Sequence, residues 1–187
     1  FLNSVRYSWQ DLRSGLTNPN IAALAARDTM LFVGFGYQGG YIDRLQGETM
    51  QFGRNYNSRD SIFDSHIQHL TFIGQRLYYG GYRGFGYLDV SGSGGRMFYD
   101  GDTTMPFADV ADIAALDSTR LALAGLFGVV AYDTAAGTFS VLTDEEQSRR
   151  VSCVWRGDGA LWYGTVANGL FRRNLRDGSE ERIGLDN

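Results

Sequence analysis

Two histidines, one cysteine and scattered serines and aspartates are the residues of this 187-residue chain that could do chemistry. His66 and His69 form an H-x-x-H pair. A zinc pair on one helix face needs i, i+4 spacing. On a strand, residues three apart point to opposite faces and do not readily chelate one ion. The pair reads as inner-strand packing or the wall of a polar tunnel, with metal binding as the sharper alternative, and no metal or cofactor is expected. Cys153 has no second cysteine to pair with, and the apolar run around it reads as buried core. Gly34-Phe35-Gly36-Tyr37-Gln38-Gly39 has the spacing of a dinucleotide fingerprint. That fingerprint needs a following helix to hold the phosphates. Here a strand pattern follows, so the glycines belong to a turn. No nucleophile elbow is seen and no Ser-His-Asp triad can be assembled, so no catalytic residue is assigned. His66 is the one residue that keeps a lyase or hydrolase reading open.

Composition narrows the class. The net charge is −4, and all 17 basic residues are arginines with no basic block, which argues against a nucleic-acid surface. Hydrophobic residues make up 43% and aromatics 14%, enough for a packed core. The 25 glycines against 2 prolines fit many tight turns within regular β-structure. No apolar run approaches the ~18 residues of a membrane span, and no signal peptide is visible. Any membrane attachment is expected through segments outside this chain, which reads as a processed product or an excised fragment.

What positions these residues is a repeat. The stretch Val151 to Phe171 holds three apolar runs cut by Asp158-Gly159 and Asn168-Gly169, both tight-hairpin signals. Leu161-Trp162-Tyr163 lacks alternation and reads as buried on both faces. Arg176-Asp177-Gly178 then turns the chain into a fourth strand, Ser179 to Ile183. The same ruler, an apolar triplet and a small residue, recurs at Leu31-Phe32-Val33-Gly34, Leu77-Tyr78-Tyr79-Gly80, Leu121-Ala122-Leu123-Ala124 and Leu161-Trp162-Tyr163-Gly164. The spacings of 46, 44 and 40 residues are those of propeller blades. Upstream of each ruler stands an apolar pair: Ile21/Leu24, Ile67/Leu70, Ile113/Leu116 and Val151/Val154. Asp43, Asp89 and Asp133 each stand twelve residues after the ruler leucine, where blade four has Arg173. Gly47, Gly94, Gly137 and Gly178 precede the outer strands.

The expected fold is therefore all-β, a propeller of about four four-stranded antiparallel blades and part of a larger ring. Residues 1–19 are expected to be an outer strand of a preceding blade, about Phe1 to Trp9, plus a link. The blades are 20–64, 65–108, 109–148 and 149–187, the last including the start of another link. In blade one the expected strands are Ile21–Ala25, Leu31–Phe35, Gly40–Arg44 and Thr49–Phe52. The closing Gly184-Leu185-Asp186-Asn187 nearly repeats the linking Gly15-Leu16-Thr17-Asn18.

The blade-four order apolar-x-x-apolar, Asp-Gly, x-Leu-Trp-x-Gly-Thr, x-x-Asn-Gly-Leu-x-Arg resembles the two-component regulator propeller repeat. The upstream copies match it more loosely. The resemblance implies a ligand-sensing and dimerising propeller module of a bacterial membrane sensor, such as a hybrid histidine kinase, in the periplasm or outside the cell. It implies no covalent chemistry in the propeller itself. Partners would be a small molecule or glycan, with the remaining blades or a second copy of the chain. The alternative is a structural or protein-binding propeller of a secretion or cell-surface complex.

In a meander propeller the turns between second and third strands share one end with the links between blades, and loops there can vary freely. Tyr37, Tyr82, Arg83, Phe127 and Asn168 fall at those turns. Rings at turn tips could stack on a sugar or a partner side chain, with Arg83 and Asn168 hydrogen bonding; the plainer reading is packing of one blade rim on the next. The long link from Gly53 to Asp64 adds Arg54, Tyr56, Arg59 and Asp60, as a binding loop or a solvated connector. Asp100, Asp102, Asp144, Glu145 and Glu146 lack the alternating pattern of a calcium loop and read as solvated surface.

Overall fold

The computed structural model describes residues 15–36, 41–48, 50–62, 66–91, 94–99, 105–106, 109–126, 128–143 and 150–184. Tyr37, Phe127, Asp64, Asp100, Asp102, Asp144, Glu145, Glu146, the segment Phe1 to Trp9 and Leu185 to Asn187 lie outside them.

Among the described residues sixteen strands form four antiparallel sheets, each a simple meander. Blade one comprises β1 (Ile21–Arg27), β2 (Met30–Phe35), β3 (Ile42–Gln46) and β4 (Gln51–Tyr56). Blade two comprises β5 (Ile67–Ile73), β6 (Arg76–Gly81), β7 (Gly84–Asp89) and β8 (Gly95–Tyr99). Blade three comprises β9 (Val110–Ala115), β10 (Arg120–Gly125), β11 (Gly128–Asp133) and β12 (Thr138–Val141). Blade four comprises β13 (Val151–Gly157), β14 (Ala160–Thr165), β15 (Gly169–Asn174) and β16 (Glu180–Ile183). In each blade the first strand is innermost, and β1 packs on β5, β5 on β9 and β9 on β13. The fold is a set of β-propeller blades.

The turn chemistry explains the hairpins. Asp158 and Gly159 have φ of 52° and 72°, the twice-positive pattern of a primed turn that matches strand twist. Asn168-Gly169 behaves differently. Thr165 pairs with Gly169 across a three-residue turn, and the Thr165 hydroxyl accepts from the Asn168 N–H at 2.8 Å.

Register corrects two sequence alignments. Leu77 and Leu121 face Leu88 and Tyr132, so Asp89 and Asp133 lie opposite Arg76 and Arg120. Leu31 instead faces Leu45, which puts Gln46 in the equivalent place and Asp43 three residues earlier. The third and fourth strands of blade one accordingly start about two residues later than expected. Asp89 and Asp133 cap the hairpins that follow them, accepting from Ser91 and Ala135 N–H groups. Blade four keeps this device one residue later: Asn174 faces Ala160 and caps with its side-chain oxygen on the Arg176 N–H. Asp43 is buried and does something else. It accepts from the Thr17 N–H at 2.7 Å, the Thr17 hydroxyl and the Asn55 amide, tying the incoming link to blade one.

The second correction concerns the inner pair of blade three. Gly125 faces Val110 and Leu123 faces Ile113, just as Gly81 faces Ile67 and Tyr79 faces Leu70. The pair is Val110/Ile113, one step upstream of Ile113/Leu116.

Apolar cores fill the three seams between blades. Phe32, Ile42 and Tyr56 of blade one meet Ile67, Leu70, Leu77 and Tyr79 of blade two, with Ile62 of the link buried among them. Tyr78, Phe85, Phe98 and Tyr132 dominate the second seam. The inner pairs of blades two to four are buried, whereas Ile21 and Leu24 are 48% and 58% exposed. At the other end Trp155, Leu170 and Ile183 are exposed and Trp162 is only half-buried, contrary to a strand buried on both faces. Cys153 belongs to the same open face and is exposed rather than part of the core.

Position-matched leucines test this account. Leu70→Ala, at a buried seam, is expected to cost about 2–5 kcal/mol, and Leu24→Ala no more than about 0.5 kcal/mol. Urea unfolding of both variants measures the difference, and equal costs would mean that blade one's inner face is covered.

Candidate functional site

The polar residues gather around the inner strands. Every inner strand carries a register shift at its second residue: between Ile21 and Ala23, Ile67 and His69, Val151 and Cys153, and opposite Ala124/Gly125 in blade three. The bulged residues are Ala22, Gln68, Ala111 and Ser152. A bulge re-aims its side chain away from the alternating faces of the strand. Just ahead of each strand stands a polar residue: Asn20, His66, Asp109 and Arg150. These strand heads are pinned to the turns between second and third strands. Within blades, the Gly36, Tyr82 and Val166 N–H groups donate to the carbonyls of Asn20, His66 and Arg150. Between blades, the Asp109 and Arg150 N–H groups donate to the carbonyls of Tyr82 and Leu126.

Three side-chain contacts link the inner strands. The Gln68 amide donates to Asp109 Oδ1 at 2.8 Å. His69 Nδ1 lies 2.8 Å from Asp112 Oδ1, and the Val154 N–H donates to Asp112 Oδ2 at 2.8 Å. Asp112 thereby joins blades two, three and four through one carboxylate. Burial pushes its pKa up, but the His69 hydrogen bond and the Val154 and Ile113 N–H groups together outweigh burial and hold it below the usual carboxylate value. The two histidines do not converge. His66 sits ahead of β5 against the Tyr82 ring, at 6.0 Å between centroids, while His69 is on β5 and engaged with Asp112. Among the described residues no group of three or more His, Cys, Asp or Glu is placed to hold a metal ion.

Of the turn-tip residues, Tyr82 is 63% exposed and Arg83 is exposed beside it, while Asn168 is half-buried on the blade-four turn. Arg54, Tyr56 and Arg59 do come together, but elsewhere. With Asp60 and Ser61 they line a cleft of about 150 Å³ whose far side is the β7–β8 hairpin of blade two, Leu88, Asp89, Gly94 and Gly95. That hairpin lies at the opposite end of the blade from the Tyr82 turn. Arg54 stacks over Tyr56 with Cζ 4.6 Å from the ring centroid and pairs with Asp60. Asp60 and Asn57 form a reciprocal capping box on the short 3₁₀ turn Ser58–Asp60. Much of this cleft's charge is thus spent on holding the link.

A second pocket, of about 270 Å³, opens at the strand heads between blades three and four. Asp109, Ala111, Arg150 and Ser152 line it, with Leu126, Val151 and Val166. Sequence reading missed it because the inner pair of blade three was placed one step late, which hid Asp109 as a strand head. The signal was there: a polar residue directly before Ile21, Ile67, Val110 and Val151.

Known proteins resemble the chain in structure rather than sequence. No protein-family model matches it, and no curated protein matches it by sequence. A domain named as the extracellular domain of the hybrid two-component system BT3049 from B. thetaiotaomicron aligns with a TM-score of 0.75 at 17% identity, over 90% of this chain and 25% of that one. PorZ, a surface component of the type-IX secretion system of Porphyromonas gingivalis, aligns with a TM-score of 0.64 at 19% identity, over 90% of this chain and 23% of that one. The Neurospora crassa Pan2 WD40 domain aligns with a TM-score of 0.67 at 12% identity, over 88% of this chain and 51% of that one. The chain thus spans about a quarter of the BT3049 extracellular domain, and at these identities the likeness is one of fold.

Asp112 supplies the test of the axial network. A carboxyl held below its unfolded pKa adds stability above that value, about pH 4, and loses it as pH falls through the folded value. Thermal melts should show stability decreasing below about pH 4, and Asp112→Asn should flatten that acid limb while lowering stability at neutral pH. An unchanged acid limb in Asp112→Asn would rule out this linkage.

Proposed function

We propose that the chain is the recognition part of an extracellular propeller in a bacterial membrane sensor, doing no covalent chemistry itself. The observation that carries this reading is the asymmetry of the blades' two ends. Asp89, Asp133 and Asn174 tie off the third-to-fourth-strand hairpins with their own side chains. The opposite end gathers the strand heads, the exposed Tyr82 and Arg83 and the 270 Å³ pocket, whereas the cleft at the capped end is smaller and has Arg54 and Asp60 paired with each other. A ligand there, a small molecule or a glycan, would act by binding one of two downstream states better than the other. The fold likeness to two-component extracellular domains supports the same reading.

Under this reading the exposed ends, Ile21 and Leu24 at one and Trp155, Leu170 and Ile183 at the other, receive the remaining blades or a second copy. The same exposed faces, with the likeness to PorZ, favour a second reading: a structural or protein-binding propeller of a cell-surface complex.

A melting screen of the chain against amino acids and oligosaccharides separates the two. A ligand at about one hundred times its Kd adds ~2.7 kcal/mol, or about 5–11 °C for a domain of this size. The sensing reading expects such a hit, reduced in Tyr82→Ala or in Arg150→Gln and retained in Arg59→Ala. Hits indifferent to both Tyr82 and Arg150, or no hit, would favour the structural reading.

A further inference from the structure

The pocket between blades three and four exists because one bulge residue is short. At the second seam, the bulged Gln68 of blade two reaches the next strand head and donates to Asp109 at 2.8 Å. At the third seam the equivalent residue is Ala111 and the next strand head is Arg150. A methyl group cannot reach, and the space that glutamine fills one blade earlier stands open as the 270 Å³ pocket. Arg150 is exposed and has no ion pair or side-chain hydrogen bond among the described residues. On the other side of the pocket Asp109 spends Oδ1 on Gln68, and its second oxygen has no donor among the described residues. The two charges line one pocket but are not bridged. Leu126 and Val166 supply apolar wall between them, and the Ser152 hydroxyl turns away to the Gly164 carbonyl at 3.3 Å.

An opposite-charge pair flanking an apolar wall is complementary to a solute carrying both charges and an apolar group. A lone anion would meet the Asp109 carboxylate, and a lone cation the Arg150 guanidinium. The volume lies below the roughly 300–1,000 Å³ of sites for drug-sized ligands. We propose that this pocket binds a small zwitterion, a free α-amino acid with an apolar side chain. Arg150 takes the carboxylate through its planar fork, Asp109 takes the ammonium, and the side chain lies on Leu126 and Val166. Both strand heads are held by backbone hydrogen bonds to neighbouring turns, so binding has to order the Arg150 side chain but not the backbone that carries it. This rests on the reading that the strand-head end is a recognition face, and it names the ligand class there.

Calorimetric titration of the chain with L-leucine, leucinamide and N-acetylleucine tests it, with maltotriose as a neutral probe. L-leucine should bind, and the two single-charge analogues at least about tenfold more weakly, since each loses one charge-assisted hydrogen-bond set. Arg150→Gln should abolish leucine binding. Ala111→Gln should abolish it too by filling the pocket as Gln68 does, with a melting temperature equal to or above that of the parent, which separates blocking from unfolding. Equal affinity for the three amino-acid probes, no binding of leucine, or parent-like binding by Arg150→Gln would overturn the assignment. If maltotriose binds and Tyr82→Ala removes it while leucine gives no heat, the zwitterion site falls but the recognition face stands. If no probe binds, both fall.

Discussion

One contact repeats at the seams: an inner-strand residue of one blade seated on a small second-strand residue of the blade before. At the first seam Ile67 and Leu70 lie over Gly34, where a Cβ would come within 2.7 Å of Ile67 Cγ2. At the second, Val110 lies over Gly80, again with 2.7 Å to its Cγ1 and to its backbone oxygen. A blade cannot bury its own faces, and this seat brings two sheets together at the axis. The wedge then widens outward and is filled by larger groups. In the second seam Phe85, Phe98, Tyr132 and Phe139 meet mostly edge to face at 5.0–6.4 Å. Gly164 is the same seat in blade four, but a Cβ there would meet only Cys153 of its own blade. That empty seat, the exposed Cys153 and the exposed Trp155 are one fact seen from three residues.

The seats also decide where polarity can live. Inner strands held this close leave room only for short side chains or for groups that bond across the gap. Blade one uses alanines at positions 22, 23, 25 and 26. Blades two and three use Gln68, His69, Asp109 and Asp112, which pair with one another across the seam. A half-buried carboxylate costs desolvation, and it is retained where geometry supplies donors enough to offset it. Asp112 has three, from His69, Val154 and Ile113. It works as a staple across two seams, at the height where branched residues alone could slide.

The blade architecture was legible in the sequence because its period is carried by apolar residues that the seams force to recur. The ruler triplets fall on the second strands, and three of the four inner pairs were placed correctly. What failed was register. Asp43 matched Asp89 and Asp133 by count alone, and only strand pairing separates a buried link anchor from two turn caps. The Ile113/Leu116 choice failed because both residues are buried and i, i+3 apart, like the true pair. Cys153 misled because burial depends on the neighbouring blade and not on local hydropathy. The bulges were invisible, since Ala22, Gln68, Ala111 and Ser152 share no side-chain chemistry. Their common feature is a backbone irregularity at the second residue of each inner strand.

A site between strand heads has a mechanical consequence that a site at turn tips lacks. Tyr82 and Arg83 sit on one turn, so a ligand touching only them stays within one blade. Asp109 and Arg150 belong to consecutive blades, and each is hydrogen-bonded by its backbone to the turn of the blade before. A solute joining them spans the third seam, where Ala122, Ala124, Val129 and Ala131 present mostly small side chains to blade four. The second seam, by contrast, is locked by aromatic rings and by the Gln68–Asp109 bond. Binding energy between states can be spent only where two arrangements are accessible. Under the proposed reading the third seam, whose blade-three side is mostly small and whose strand heads are not bridged by a side chain among the described residues, is where a small ligand would gain most leverage over blade four and the apolar face it presents.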